Sequence, residues 1–212
     1  MTSLRNPFEL ILLTSTPEER RTPAPRAEPE QIEACRRGDR SALEAVFRAH
    51  AEGLARLLTR IVGPSVEVED LLQETFAAAI TAFPKFRGEA SVKTWLHRIA
   101  IHVAHQYLRR PRHRREVELA DADEREGLAG ASPEHRELAR RLYEHVEAID
   151  VTKRIALLLY VVEGHSVDEI AALMGAGKAA TRSRIMWARR KLMRRMRKDP
   201  LFADRALFGG EP

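Results

Sequence analysis

Cysteine, aromatic residues and long apolar runs are all scarce in this sequence, and each scarcity excludes a class of protein. The 212 residues include one cysteine, Cys35, so an internal disulfide and a cysteine-based metal site are excluded. The longest apolar run, residues 155–162, is eight residues long and too short to span a bilayer. The apolar stretch at 10–13 is too short for the core of a signal peptide. These absences predict a cytoplasmic protein with no membrane insertion.

The composition is otherwise that of an ordinary globular chain. Hydrophobic residues make up 44% and charged residues 32% of the sequence, whereas aromatic residues contribute 6%. A core must therefore be built mainly from Leu, Ile, Val and Ala. The length suits one large domain or two small ones.

Charge is strongly segregated along the chain, whose net charge is +5. Residues 170–198 contain ten basic side chains and no acidic one, and residues 109–115 contain five arginines and no acid. Residues 116–137 instead carry eight acidic side chains against two arginines. A solvated surface is the ordinary explanation of a charge run, but two separate acid-free basic blocks favour a polyanionic partner such as nucleic acid.

Helical periodicity occupies residues 29–112 and predicts a compact bundle of three helices. The preceding residues 1–28 contain four prolines and no sustained period, which predicts a disordered extension. The first helix is predicted to begin at Ser41, because Ser41 and Glu44 have the spacing of a capping box. Ser65 is the predicted cap of the second helix.

A second helical domain is predicted over residues 133–198, after an acidic linker at 113–132 and before a C-terminal tail at 199–212. Ser166 and Glu169 form a second capping-box pattern, which opens a short helix. No strand pattern is present. The fold class predicted is all-α, with two small helical domains joined by a flexible linker.

The last two predicted helices have the pattern of a helix-turn-helix, with a short glycine-containing turn before a long basic helix. Its inward positions at helical spacing are Ile185, Ala188, Leu192 and Met196. Its outward positions are Ser183, Trp187, Arg190 and Arg194, flanked by Arg182 and Arg184. Arginine forks and a hydroxyl suit a DNA major groove. A solvated basic face is the alternative, although an exposed tryptophan is uncommon on such a face without a partner.

Several strings in this order identify the chain as similar to the extracytoplasmic-function sigma factors, a branch of the sigma-70 family. Residues 43–110 resemble their region two, through EDLLQETF at 69–76, FRGEAS at 86–91 and TWLHRIA at 94–100. Residues 138–196 resemble region four, through EG at 163–164, SVDEIA at 166–171 and RSR at 182–184. The resemblance implies an RNA polymerase sigma factor that binds core enzyme and directs promoter recognition, DNA melting and transcription initiation. An anti-sigma factor is a further implied partner.

The resemblance also implies three sets of binding residues. The set for core polymerase is Glu69, Asp70, Leu71, Gln73 and Glu74. The set for the minus-ten element is Phe86, Arg87, Gly88, Ser91, Lys93, Trp95, Arg98, Arg109 and Arg110. The set for the minus-thirty-five element is Lys178, Arg182, Ser183, Arg184, Trp187, Arg190 and Arg194. Trp95 also lies on the apolar stripe of its helix, which favours core packing for its ring.

Four positions depart from the usual family pattern. Ile149 and Asp150 replace a Leu-Pro pair, His102 replaces an asparagine, and AAT at 179–181 replaces a Gly-Thr-Val opening. Trp187 stands where a basic residue is common. These departures bear on base contacts, while the apolar positions of the fold remain.

Other classes of protein explain less of the sequence. A stand-alone helix-turn-helix regulator accounts for residues 135–198 but leaves the acidic string unexplained. A protein-binding decoy leaves the basic face unexplained. An enzyme is the weakest reading, because His97, His102 and His105 have no nearby carboxylate and no catalytic arrangement is present. No catalytic residue, metal site or cofactor is predicted.

Overall fold

The computed structural model describes residues 29–63, 67–110 and 133–203, which belong to two compact units. Every regular element in these ranges is a helix, in agreement with the all-α prediction. The predicted extension at 1–28, the linker at 113–132 and the cap Ser65 lie outside the described residues.

The first unit contains four helices and a short 3₁₀ turn. They are α1 (Pro29–Arg36), α2 (Arg40–Val62), α3 (Val68–Ala82), the turn Phe83–Lys85 and α4 (Val92–Arg109). Helices α2, α3 and α4 pack on one another, and Leu58, Leu96 and Ala100 are fully buried between them. Each such leucine stabilises the fold by roughly 1.5–3 kcal/mol. The three predicted helices are therefore present, and α1 is an addition that lacks a long apolar stripe.

The N-terminal cap of α2 differs from the predicted one. Asp39 Oδ1 accepts hydrogen bonds from the backbone N–H groups of Ser41, at 2.9 Å, and Ala42, at 3.0 Å. The predicted capping box at Ser41 is therefore wrong, because Asp39 occupies the capping position and Ser41 donates its own hydroxyl to the same carboxylate. Glu44 instead pairs with Arg48 on the helix surface.

The second unit contains five helices. They are α5 (Pro133–Glu147), α6 (Val151–Val161), α7 (Val167–Leu173), α8 (Lys178–Met196) and α9 (Pro200–Ala203). Helix α6 is the centre of the unit: its residues Ile155, Ala156 and Leu159 are fully buried, and it packs mainly against α8. This explains why the apolar run in α6 is nearly continuous.

The second unit continues beyond the boundary predicted at residue 198. His145 Nε2 lies 2.8 Å from Asp199 Oδ2, and Arg141 Nε lies 3.1 Å from the same oxygen. Burial raises the pKa of Asp199, but a hydrogen bond from the Leu201 N–H and the contacts of His145 and Arg141 outweigh it, so the pKa lies below its usual range. Phe202 is fully buried and packs against the His145 ring. The predicted tail at 199–212 therefore begins within the folded unit, because the side chains of Asp199 and Phe202 are buried in its core.

We expect Phe202→Ala to lower the free energy of unfolding of the second unit by about 3–5 kcal/mol, because it removes a fully buried ring. Urea unfolding of the whole chain, followed by helical circular dichroism, measures the change. Lys198→Ala is the matched control, since Lys198 is exposed and its loss should change stability by less than about 0.5 kcal/mol. Equal stability of the two variants would show that α9 is not part of the core.

Within 29–63, 67–110 and 133–203, every helix is too short or too polar to cross a membrane. In the same part of the chain, no three His, Cys, Asp or Glu side chains are grouped as metal ligands.

Candidate nucleic-acid interface

Helices α7 and α8 form the helix-turn-helix predicted for the second unit. The capping box is present: Ser166 Oγ accepts from the Glu169 N–H, and Glu169 Oε2 accepts from the Ser166 N–H at 2.8 Å. Gly175 has φ +60 in the turn, a conformation that favours glycine. At the start of α8, buried Thr181 donates its hydroxyl to the Gly177 carbonyl at 3.1 Å. The capping box therefore fixes the start of α7, and the Thr181 hydrogen bond lies in the first turn of α8.

The outer face of α8 is exposed along its full length. Ser183, Trp187, Arg190 and Arg194 are all exposed, and the Trp187 side chain retains 60% of its accessible surface. The opposite face is buried against the unit through the predicted residues Ile185, Ala188, Leu192 and Met196. The helix is held in place at its far end by Lys191 Nζ, which donates to the Ala148 carbonyl at 2.6 Å. A continuous cationic surface thus projects from a rigidly packed helix.

The other three residues of the predicted minus-thirty-five set have different surroundings. Arg182 is exposed and Arg184 is half-buried. Lys178 Nζ lies 2.7 Å from Asp168 Oδ2 on α7, in an exposed ion pair. An ion pair of this kind contributes at most about 1 kcal/mol, so it leaves Lys178 free to exchange partners.

The predicted polymerase-binding residues lie on α3, where the structure separates them into two groups. Glu69, Asp70 and Gln73 are exposed, and Asp70, Gln73 and Ile80 share one face of the helix. Leu71 is buried in the core, so its side chain belongs to the packing of the unit and takes no part in that surface.

Glu74 joins two of the predicted sets. Its Oε1 atom lies 3.4 Å from Arg110 Nη2 at the end of α4. Glu74 belongs to the predicted polymerase set and Arg110 to the predicted minus-ten set. The two sets are therefore neighbours at this point.

An open apolar groove lies between α2 and α3, and it reaches the helix face of Asp70 and Gln73 through Ile80. The sequence did not predict this groove. Its volume is about 370 Å³. Phe47 and Phe76 stack in it with ring centroids 4.5 Å apart, and Ile80 at its edge is 50% exposed. The signal in the sequence is Ile80 itself, an apolar residue ten positions after Asp70 and on the same helix face. The charged residues that line the groove are Arg40, Glu44 and Arg48 on α2. An open apolar groove with a charged rim is a surface suited to a protein partner.

In the loop at 86–91, the position of Phe86 differs from that expected for a member of the minus-ten set. Phe86 is 6% exposed, and its ring packs against Phe83 and Trp95. The aromatic ring is therefore not available to stack on a base, because it completes the core beneath the loop. Trp95 is half-buried in the same cluster, 4.9 Å from the Phe83 ring, as its apolar stripe predicts.

The exposed residues of this loop are Arg87, Gly88, Glu89 and Ser91. Gly88 has φ +75, and Glu89 Oε1 lies 3.9 Å from Arg87 Nη1 in an exposed ion pair. Ser91 caps α4, and its hydroxyl accepts from the Thr94 N–H at 3.1 Å. A residue from α1 fixes the base of the loop: Arg36 donates through Nε, at 2.8 Å, and Nη2, at 2.5 Å, to the Phe86 carbonyl. The sequence reasoning missed Arg36 because α1 itself was not predicted.

Helix α4 carries a polar stripe on its exposed side. Arg98, His102 and Arg109 lie on one face, at spacings of four and seven residues, and all are exposed. Gln106 contacts His102 Nε2 at 2.7 Å. Lys93 is half-buried near His50, whose pKa is lowered by burial and by the charge of Lys93. His102 is the one member of this stripe absent from the predicted set.

Two helical units, one with a basic helix-turn-helix and one with an exposed acidic helix face, have the architecture of a DNA-binding protein. Residues 46–115 match Sigma-70 region 2, and residues 139–192 match Sigma-70, region 4. The ECF RNA polymerase sigma-E factor of Salmonella typhimurium is 32% identical over 169 residues, which cover 74% of this chain and 88% of that protein. The chain therefore belongs to the ECF sigma factors, RNA polymerase sigma factors of the sigma-70 family.

Two solved structures share the fold. CnrH in complex with the cytosolic domain of CnrY has a TM-score of 0.55 and 24% identity, over 80% of this chain and 96% of that one. The sigma factor RpoE in complex with the anti-sigma factor NepR from Bartonella quintana has a TM-score of 0.52 and 21% identity. That match covers 74% of this chain and 97% of RpoE.

Proposed function

We propose that this sigma factor joins core RNA polymerase through α3 and the adjoining groove, and contacts promoter DNA through both units. The observation that carries the proposal is the placement of the exposed residues. Asp70, Gln73 and the apolar Ile80 are exposed on one face of α3, and α8 presents basic groups and carries no acidic residue. A protein partner suits the first surface and a polyanion suits the second.

The minus-ten contact is assigned to the loop at 86–91 and the exposed stripe of α4. Arg87 and Gly88 are exposed in the loop, and Gly88 permits close approach of a backbone. The ion pair of Arg87 with the neighbouring Glu89 is exposed and therefore weak, so Arg87 can exchange that partner for DNA. Arg98 and Arg109 supply phosphate contacts, which add affinity without sequence information. An extruded base would meet the polar rim of this loop, while the buried Phe86 ring supports the loop from below.

The minus-thirty-five contact is assigned to α8. Its N-terminal half presents Arg182, Ser183 and Trp187, and arginines continue to its last turn. A recognition helix of this kind enters the major groove and reads base edges with its outer side chains. The cytoplasm is the compartment in which this activity takes place.

Core polymerase and an anti-sigma factor are the two protein partners proposed. The resemblance of the fold to CnrH with CnrY and to RpoE with NepR supports the second. A stand-alone regulator is the weaker candidate, because both halves of the chain match sigma-70 regions.

The decisive experiment is run-off transcription with purified core polymerase on a library of promoter sequences. We expect a selected set of promoters with two conserved elements, and no transcript when the sigma factor is omitted. DNA binding by the free chain that already discriminates promoter from scrambled duplex would favour the stand-alone regulator.

Arg36→Lys should reduce promoter melting about tenfold and leave core binding unchanged. Lysine keeps the charge but lacks the fork that grips the Phe86 carbonyl, so the loop loses a fixed base. Permanganate reactivity of thymines in the promoter complex measures melting, and anisotropy with labelled core enzyme measures binding.

Glu33→Ala is the matched control for Arg36→Lys. It breaks the partly exposed Arg36–Glu33 ion pair and leaves the two hydrogen bonds to Phe86 in place. Equal melting by the wild type and Arg36→Lys would show that the loop needs no support from α1.

A further inference from the structure

Trp187 is an apolar side chain at the centre of a cationic surface. Its 60% exposure is the largest among the large hydrophobic residues that the structure describes as exposed. Ser183 lies one turn before it and Arg190 one turn after it on the same face. No acidic residue occurs in α8. The indole therefore projects where the neighbouring side chains are suited to a nucleic acid.

Base edges, and not base faces, are what a helix meets in the major groove of a duplex. The bases there are stacked, so an indole cannot insert between them without unstacking DNA. Among the groups exposed on the edges, the 5-methyl of thymine is the apolar one. An arginine at the same position would offer a fork to the O6 and N7 of guanine, whereas the indole has one N–H and a large apolar surface.

We propose that Trp187 reads a thymine through its 5-methyl group. The minus-thirty-five element should then require a thymine at the position that faces this side chain. The inference rests on the proposed function of α8 as the helix that contacts this element. The inference goes beyond that function because it names the base, a thymine, that Trp187 selects.

The spacing along α8 places this thymine relative to its neighbours. The helix rises about 1.5 Å per residue, so Ser183 and Trp187 are about 6 Å apart along the axis and Trp187 and Arg190 about 4.5 Å. Base pairs are about 3.4 Å apart. The thymine should therefore lie within about two base pairs of those read by Ser183 and Arg190.

A protein partner is the competing occupant of this face. Eight basic residues occur between Lys178 and Met196, so such a partner would need a strongly acidic surface. The DNA assignment is favoured because duplex DNA offers both the negative charge and the apolar methyl group within one groove.

The test uses the whole chain with core polymerase and a promoter obtained from the library selection. Each thymine of the minus-thirty-five element is replaced, one at a time, by deoxyuridine, which keeps base pairing and removes only the methyl group. We expect one replacement to weaken promoter binding about three- to tenfold with the wild type. The same replacement should have no effect with Trp187→Ala. With Trp187→Arg, guanine should become the preferred base at that position.

Met186→Ala is the matched control, since Met186 is an exposed apolar neighbour that points about 100° away around the helix. It should keep the deoxyuridine effect unchanged. Because Trp187 is exposed, all variants should retain the wild-type melting temperature.

Two outcomes would overturn the inference. One is that no single deoxyuridine replacement weakens promoter binding, although the wild type still transcribes selectively. The other is a loss of polymerase assembly by Trp187→Ala with an unchanged uridine effect, which would assign the residue to a protein contact. Failure of the wild type to transcribe from any promoter would instead overturn the proposed function itself.

Discussion

A chain with Asp70→Lys and Gln73→Lys should bind core RNA polymerase on the order of 100-fold more weakly than the wild type. Both residues are exposed on the face of α3 that also carries Ile80 at the edge of the groove. The change replaces one negative charge by two positive ones on the proposed docking surface. A loss of this size corresponds to about 2–3 kcal/mol, which is the size expected when charges on a docking surface become repulsive toward the partner. Anisotropy with labelled core enzyme provides the measurement.

Glu74 is left unchanged in this design because its carboxylate contacts Arg110, and replacing it would also disturb the end of α4. Glu30→Lys is the matched control. Glu30, like Asp70, is an exposed acid in the first turn of a helix, so its reversal has a similar effect on the helix dipole. Equal affinities of the α3 variant and the control would place the polymerase contact elsewhere.

Arg190→Ala with Arg194→Ala should abolish selective transcription while leaving assembly with core polymerase intact. Both side chains are exposed in the centre of the outer face of α8. If both contact phosphates, the slope of log affinity against log salt should fall by roughly two units. If either reads a guanine, preference at one position should also relax by about 1–3 kcal/mol. Promoter gel shifts with the polymerase complex at several salt concentrations measure both effects.

Arg189→Ala with Arg195→Ala removes the same charge from the same helix and is the control for this pair. These two exposed arginines lie at the two edges of the helix, away from the centre of the outer face. A defect as large in the control as in the Arg190 and Arg194 variant would mean that total charge, and not the outer face, determines promoter binding.

The features predicted well from the sequence are those determined by local pattern. The periodic apolar positions of α8 set its orientation, because a helix buries its apolar stripe wherever it packs. The capping box at Ser166 was predictable for the same reason, since its hydrogen bonds lie within four residues. Asp39 prevailed over Ser41 at α2 because a capping residue was available two positions earlier.

The features missed depend on residues that are distant in sequence. The burial of Phe86 needs Phe83 and Trp95, which come from the 3₁₀ turn and from α4. The hydrogen bonds from Arg36 cross 50 positions in the chain. The groove exists only where α2 and α3 pack together, and no periodicity in one helix indicates it. The base proposed for Trp187 likewise follows from the exposure of its side chain between Ser183 and Arg190 on the folded helix.

The concentration of positive charge on α8 also affects folding. Its eight cations are close together, its first turn has no acidic residue, and no side chain caps its N-terminus at Gly177. The helix keeps its shape because Ile185, Ala188 and Leu192 are buried against the unit, while self-repulsion opposes that shape. Added electrolyte screens repulsion between exposed charges, so rising ionic strength should make this unit more stable while it loosens the hold on DNA. The stability of this unit and its affinity for DNA therefore respond to salt in opposite directions. In the complex, the phosphates of the DNA would take the place of the screening ions.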